Sequence, residues 1–104
     1  MTRRSLPIEF TRRSFRQVEE AARWWRENRP AAPQAVSEEL ARPLEIVALQ
    51  PAIGAKTSSR RLRRVRRVLL PRIQYHLYYQ VDARTRRLVV IAFWHAQRGT
   101  FPQL

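Results

Sequence analysis

The chain has 104 residues, 44% of them hydrophobic and 10% aromatic, enough to bury one core without staples and too apolar for a disordered tail. It has no cysteine, which excludes a disulfide framework or a thiolate metal site and leans towards a reducing compartment. Twenty-one basic against eight acidic residues give a net charge of +13, a field that attracts nucleic acid, a nucleic-acid-bound enzyme or an acidic protein.

Residues 1–10 hold no apolar run of signal-peptide length, and no apolar stretch of membrane-spanning length occurs anywhere, so a soluble cytoplasmic protein is the expectation. Leu6, Ile8 and Phe10 alternate with Pro7, Glu9 and Thr11, which predicts a short strand with one face buried. Pro7 lacks an amide donor and places that strand at an edge. A helix is predicted from Thr11 or Ser14 to Asn28. Ser14 and Gln17 have capping-box spacing, and Phe15, Val18, Ala22 and Trp25 form its apolar stripe. Arg29 before Pro30 ends it.

A Pro-Ala-Ala-Pro link leads to a second helix over 33–49, with Pro33 suited to the first turn and Val36, Leu40, Leu44 and Val47 as its stripe. Pro43 falls inside that pattern, so a kink or early break is expected there. Residues 51–59, with Gly54, Thr57, Ser58 and Ser59, read as an irregular loop. A basic strand over 62–70 follows, then a turn at Pro71-Arg72 and an alternating strand over 73–81. That last strand turns Ile73, Tyr75, Leu77, Tyr79 and Val81 to one face and Gln74, His76, Tyr78 and Gln80 to the other. A loop over 82–86 leads to a continuously apolar strand, 88–94, expected to be buried on both sides.

The predicted architecture is therefore α+β in a single domain spanning 1–104: an N-terminal strand, a helical hairpin, then a three-stranded antiparallel meander with the helices packed on one face.

This order resembles the RelE/ParE family of toxins from type II toxin–antitoxin systems, over roughly residues 6–98. The matching pieces are the early strand, the first helix ending in Trp24-Trp25-Arg26-Glu27-Asn28, and Pro51-Ala52-Ile53-Gly54, similar to the family's Pro-x-x-Gly. After these come Val65-Arg66-Arg67, Tyr75-His76-Leu77-Tyr78-Tyr79 and His95-x-x-Arg98. The asparagine ending the first helix, the proline-alanine link and the Pro-x-x-Gly junction look more like the ParE branch. That resemblance implies a toxin that inhibits DNA gyrase by binding it and that is neutralised by a cognate antitoxin in a hetero-oligomeric complex. The RelE branch implies instead a ribosome-dependent mRNA endonuclease. A member that has lost toxicity and survives as a nucleic-acid- or antitoxin-binding module is a third possibility.

Cleavage of RNA by its 2′-hydroxyl needs proton transfer and positive charge on the phosphate. His95 and Arg98 are the residues placed for that role. His95 has a second reading, in which it caps the last strand through a hydrogen bond. Against the nuclease stand the scarcity of lysine, with Lys56 alone, and a tail after the last strand that carries Phe101 rather than a tyrosine beside the histidine. The expected target- or antitoxin-binding residues are Arg60, Arg61, Arg63, Arg64, Arg66, Arg67, Tyr78, His95, Arg98 and Trp24. Six arginines within 60–67 repel one another unless a partner neutralises them. Tyr78 faces away from the core side of its strand, and Trp24 lies off the helix stripe where an aromatic can anchor a partner. No cofactor is expected, and two histidines without cysteine make no metal site.

Overall fold

The computed structural model describes residues 4–57 and 62–97. Its elements are β1 (Ile8–Phe10), α1 (Arg12–Asn28), α2 (Ala35–Leu49), a 3-10 turn (Pro51–Ile53), β2 (Ala55–Thr57), β3 (Val65–Leu70), β4 (Tyr75–Asp82) and β5 (Arg87–His95). They build one five-stranded mixed sheet in the order β1-β5-β4-β3-β2, with β1 parallel to β5 and the rest antiparallel. The fold is α+β, as the patterning predicted, with the meander β3-β4-β5 at its centre. Strand β1 lies at an edge, where a proline-led strand belongs. No helix among the described residues is long and apolar enough to cross a membrane.

Helix α1 starts at Arg12 because Thr11 caps it. The Ser14 amide donates to Thr11 Oγ1 at 3.1 Å, satisfying one of the free donors of the first turn. The expected pairing of Ser14 with Gln17 is not formed; both side chains reach β5 instead. The Ser14 hydroxyl donates to Val90 O at 2.7 Å, with Thr11 O at 3.0 Å. Gln17 Oε1 accepts the Phe93 amide at 2.9 Å. The backbone of β5 thus finds partners in α1 where β1 ends.

Pinning Ser14 to β5 also sets which face of α1 turns inward. Ser14 and Ala21 are buried, and Val18, Ala22 and Trp25 pack on the core, whereas Phe15 is 55% exposed. Adjacent helical residues are separated by about 100°, so a face centred near Ser14, Val18 and Ala21 carries Phe15 off its rim. The expected stripe was correct in three members and wrong in Phe15.

Helix α2 begins at Ala35, two residues later than expected, with Pro33 in the preceding turn. Pro43 does not break it. The helix runs on to Leu49 and turns Val36, Leu40, Leu44 and Val47 to the core, so packing outweighs the one backbone bond that proline removes. At its C-terminal end the Ala48 carbonyl accepts the Leu6 amide at 3.0 Å, which ties the segment before β1 to the hairpin.

The segment read as an irregular loop contains a 3-10 turn and the edge strand β2, paired with β3 through Ala55, Lys56 and Thr57. Ile73 lies in the turn between β3 and β4 rather than on the strand, yet it is buried. Gln74, at φ 60°, closes that turn with its amide on Leu70 O.

Apolar side chains are buried on both faces of the sheet. The helices cover Leu70, Leu77, Tyr79, Leu88, Val90 and Phe93, while Val65, Tyr78, Ile91 and Ala92 form a second cluster. One extra residue in β5 makes this possible. Tyr78 pairs with Ala92 but Tyr79 with Val90, leaving Ile91 as a bulge, which turns Ile91 and Ala92 to the same side and returns Phe93 to the helices. Strand β5 is buried on both faces, as its continuous apolar run predicted.

Candidate functional site

The junction Pro51–Gly54 is held by Tyr79. Its hydroxyl donates to Pro51 O at 2.7 Å and accepts the Gly54 amide at 3.0 Å. A Cβ on Gly54 would stand 2.5 Å from that hydroxyl and 3.0 Å from Arg67 O, so close approach demands glycine here, not an unusual φ. Burial pushes the Tyr79 phenol up, against the opposing pull of the Gly54 amide and Arg66. Arg66 completes the arrangement by donating to Gly54 O at 2.7 Å.

Two clefts open at opposite ends of β4. The first, about 620 Å³, is lined by Trp24, Trp25, Arg29, Arg72, Tyr75 and His95 among others. Trp24 is 48% exposed. It meets Trp25 edge-on at 5.9 Å, and the Arg29 guanidinium lies over its ring at 5.5 Å, a cation–π geometry. Tyr75 stacks on Phe93 at 4.6 Å and meets the His95 ring edge-on at 5.1 Å. His95 Nδ1 accepts the Gln97 amide at 3.2 Å, a strand-end capping bond of the kind expected beside its catalytic and partner-binding readings. Arg72 pairs with Glu38 at 2.9 Å and Glu39 at 3.6 Å, and the Glu38 hydrogen bond raises its already high pKa.

The second cleft, about 580 Å³, lies beside β2 and the far end of β4. Lys56, Arg64 and Arg66 line it together with Pro51, Tyr79 and Val81. Lys56 and Arg66 are direct partners across the β2–β3 ladder. Arg64 has φ 61°, a left-handed conformation uncommon outside glycine.

The seven described residues among the ten expected to bind a partner do not gather in one place. Trp24 and His95 share the first cleft, and Arg64 and Arg66 the second. Arg63 is exposed, while Arg67 is half-buried opposite Tyr78 on β3–β4. Tyr78 does face away from the helices, but it is only 2% exposed, packed with Val65, Ile91 and Ala92. That face is apolar where alternation suggested a polar one. Burial lowers the pKa of neighbouring His76, and the Arg67 charge lowers it further. Arg60, Arg61 and Arg98 lie outside the described residues.

Three lining residues escaped the sequence reading: Arg29, Arg72 and Lys56. Arg29 was readable as the residue closing α1, and Lys56 as a lone lysine beside the Pro-x-x-Gly. Arg72 carried no local signal.

A family model described as the ParE toxin of the type II toxin–antitoxin system parDE matches residues 8–99. Among solved structures, the fold is similar to the chromosomal ParDE system from P. aeruginosa at a TM-score of 0.69 and 12% identity, covering 89% of this chain and 98% of that one. It is also similar to the RelBE2 toxin–antitoxin complex from Mycobacterium tuberculosis, at a TM-score of 0.58 and 20% identity, covering 88% and 99% of the two chains. A mutant E. coli RelE toxin in the free state gives a TM-score of 0.60 and 23% identity, covering 92% and 88%. At these identities the structural likeness is one of fold. Comparison with curated proteins finds no match in sequence.

Proposed function

We propose that this chain, which belongs to the ParE toxin family of type II toxin–antitoxin systems, inhibits DNA gyrase by binding it and is held inactive by a cognate antitoxin. The observation that carries a binding role is the first cleft. Trp24 stands half exposed with Arg29 over its ring, and tryptophan and arginine in a concave surface are the residue types that dominate protein–protein contacts. An antitoxin partner is supported by the solved structures of similar fold, the chromosomal ParDE toxin–antitoxin system and the RelBE2 toxin–antitoxin complex among them.

The mRNA-cleaving alternative, with ribosome and mRNA as partners, is less well supported by the geometry. Such chemistry needs a proton-transfer group and free positive charge around one phosphate. Among the described residues, His95 shares its cleft with Arg29 and Arg72, and Arg72 is already neutralised by Glu38 and Glu39. Lys56, Arg64 and Arg66 gather at the other end of β4.

The test is supercoiling by purified gyrase, which falls when this protein is added without its antitoxin. Unchanged supercoiling in the presence of folded protein overturns the reading. Induced expression then separates the branches: broken DNA follows from gyrase inhibition, loss of mRNA from a nuclease.

A further inference from the structure

We propose that the cleft between Lys56, Arg64 and Arg66 is a binding site for a phosphate oxyanion, of a size suited to a nucleic-acid phosphodiester rather than a bare ion. This site is separate from the tryptophan cleft, and its test does not depend on gyrase.

Charge is the first argument. Lys56 and Arg66 are partners on β2 and β3 and line the same cleft, and like charges directly opposite in a ladder destabilise the pair. Arg64 brings a third cation from the turn before β3. No carboxylate is among the described lining residues. Asp82 follows them on β4, but its Oδ1 accepts the Arg84 and Thr85 amides at 2.9 and 3.4 Å, so it serves the hairpin loop. An anion in the cleft removes the repulsion that the fold leaves standing.

Preorganisation is the second argument. Arg66 Nη1 is anchored on Gly54 O at 2.7 Å, and Gly54 is itself fixed by the Tyr79 hydroxyl. The guanidinium carries five donors in a planar fork matched to phosphate oxygens, so one anchored N–H leaves the others to bind without first losing rotamer freedom. Arg64 reaches the cleft from a left-handed backbone, φ 61°, and such conformations cluster at ligand-binding positions.

The third argument separates phosphate from carboxylate. One arginine fork satisfies a single carboxylate or a single phosphodiester, each a monoanion with two free oxygens. Three cations arriving from β2, the β2–β3 connection and β3 suit instead the closely spaced charges of consecutive phosphates along a nucleic-acid strand. Pro51, Ala52 and Val81 supply apolar wall beside them, which suits an attached sugar.

The experiment uses the full chain, a short fluorescein-labelled DNA duplex and inorganic phosphate as probes. Lys56 and Arg64 are both exposed, so the pair Lys56→Gln/Arg64→Gln tests the site without disturbing the Arg66 anchor. The pair Arg12→Gln/Arg16→Gln on the exposed side of α1 removes the same charge elsewhere. Anisotropy is expected to show the cleft pair weakening the duplex about tenfold more than the control pair. Its salt slope is expected to fall by about 1.8, as loss of two phosphate contacts predicts. Equal losses in the two pairs mean a diffuse basic surface and overturn the site. In the second arm, inorganic phosphate raises the melting temperature of the parent, but not of the cleft pair, if free phosphate is the ligand. No shift, with the duplex still discriminating, assigns the phosphodiester. A polyglutamate peptide that binds only through the intact cleft, while the duplex does not, overturns phosphate in favour of an acidic protein segment.

Discussion

The Tyr79 hydroxyl lies 3.0 Å from the Gly54 amide, and the missing Cβ of Gly54 is what lets it come so close. Gly54→Ala puts a methyl group 2.5 Å from that oxygen and should destabilise the fold by about 1–3 kcal/mol, the usual cost of overpacking. Tyr79→Phe leaves both the Gly54 amide and the Pro51 carbonyl without their partner and should cost about 1–3 kcal/mol. Since the phenol oxygen is the atom the new methyl meets first, the double variant should be less damaged than the two losses added. Urea denaturation of all four proteins measures this. Strict additivity would mean that the tyrosine and glycine do not act as one unit.

How much of this could be read from the chain follows from what each signal depends on. The helical hairpin and the meander rest on periodicity, which is local, and both were legible. Ser14 was not read as buried because apolar periodicity ignores a hydroxyl whose partner, Val90 O, lies 76 residues away. Strand β2 has three residues, Ala55, Lys56 and Thr57. They are too few to alternate, and their state is decided by β3. Tyr78 was placed on the correct side of β4, but whether that side is wet depends on Val65, Ile91 and Ala92 gathering there. The candidate arginines were found as a run, whereas the fold sorts Arg64 and Arg66 into a cleft with Lys56 and leaves Arg67 opposite Tyr78.

Helix α1 should depend on its two side-chain bonds to β5. Ser14→Ala removes the donor to Val90 O in a fully buried setting, and Gln17→Ala removes the acceptor from the Phe93 amide. Gln17→Ala leaves the Phe93 amide unpaired and is expected to cost about 1–3 kcal/mol. In Ser14→Ala the Val90 carbonyl keeps the Thr11 amide as its donor at 3.1 Å, so that loss should be nearer about 1 kcal/mol. Hydrogen exchange offers the sharper check: the Phe93 amide should lose protection in Gln17→Ala by more than the global loss of stability explains. Equal loss at all amides would show that Gln17 contributes no local anchoring.

Two groups set opposite pH limits. Burial, then Arg67, holds the His76 pKa below its ordinary 6.5, so the unfolded chain takes up a proton before the folded one does. Stability should therefore be full above pH 6.5 and decline as pH falls through the folded pKa. His76→Asn should flatten that decline. Tyr79 is the mirror case. Burial raises its pKa above 10.0, so stability present below pH 10 should be lost as pH rises through the folded value, and Tyr79→Phe should remove that slope. Melting temperatures across the two ranges provide the measurement. An acid limb identical in the parent and His76→Asn would rule out the histidine as its source.

Trp24 and Trp25 are neighbours with different expected roles. Trp25 packs on the core beneath α1, so Trp25→Ala should lose about 3 kcal/mol of stability, the lower end for truncating a buried aromatic. Trp24 is 48% exposed in the cleft beneath Arg29. Trp24→Ala should melt close to the parent yet weaken binding by about 2 kcal/mol, roughly thirtyfold, as an anchoring aromatic does. The affected partner identifies the cleft's occupant. Lost gyrase inhibition assigns the cleft to the target, and lost neutralisation by a co-expressed antitoxin assigns it to the antitoxin. His95→Ala belongs in the same assays, because its ring shares the cleft and its Nδ1 is occupied by the Gln97 amide. Under the gyrase reading it should keep most of the inhibition. Abolished toxicity in His95→Ala together with preserved mRNA would transfer the function to the nuclease branch.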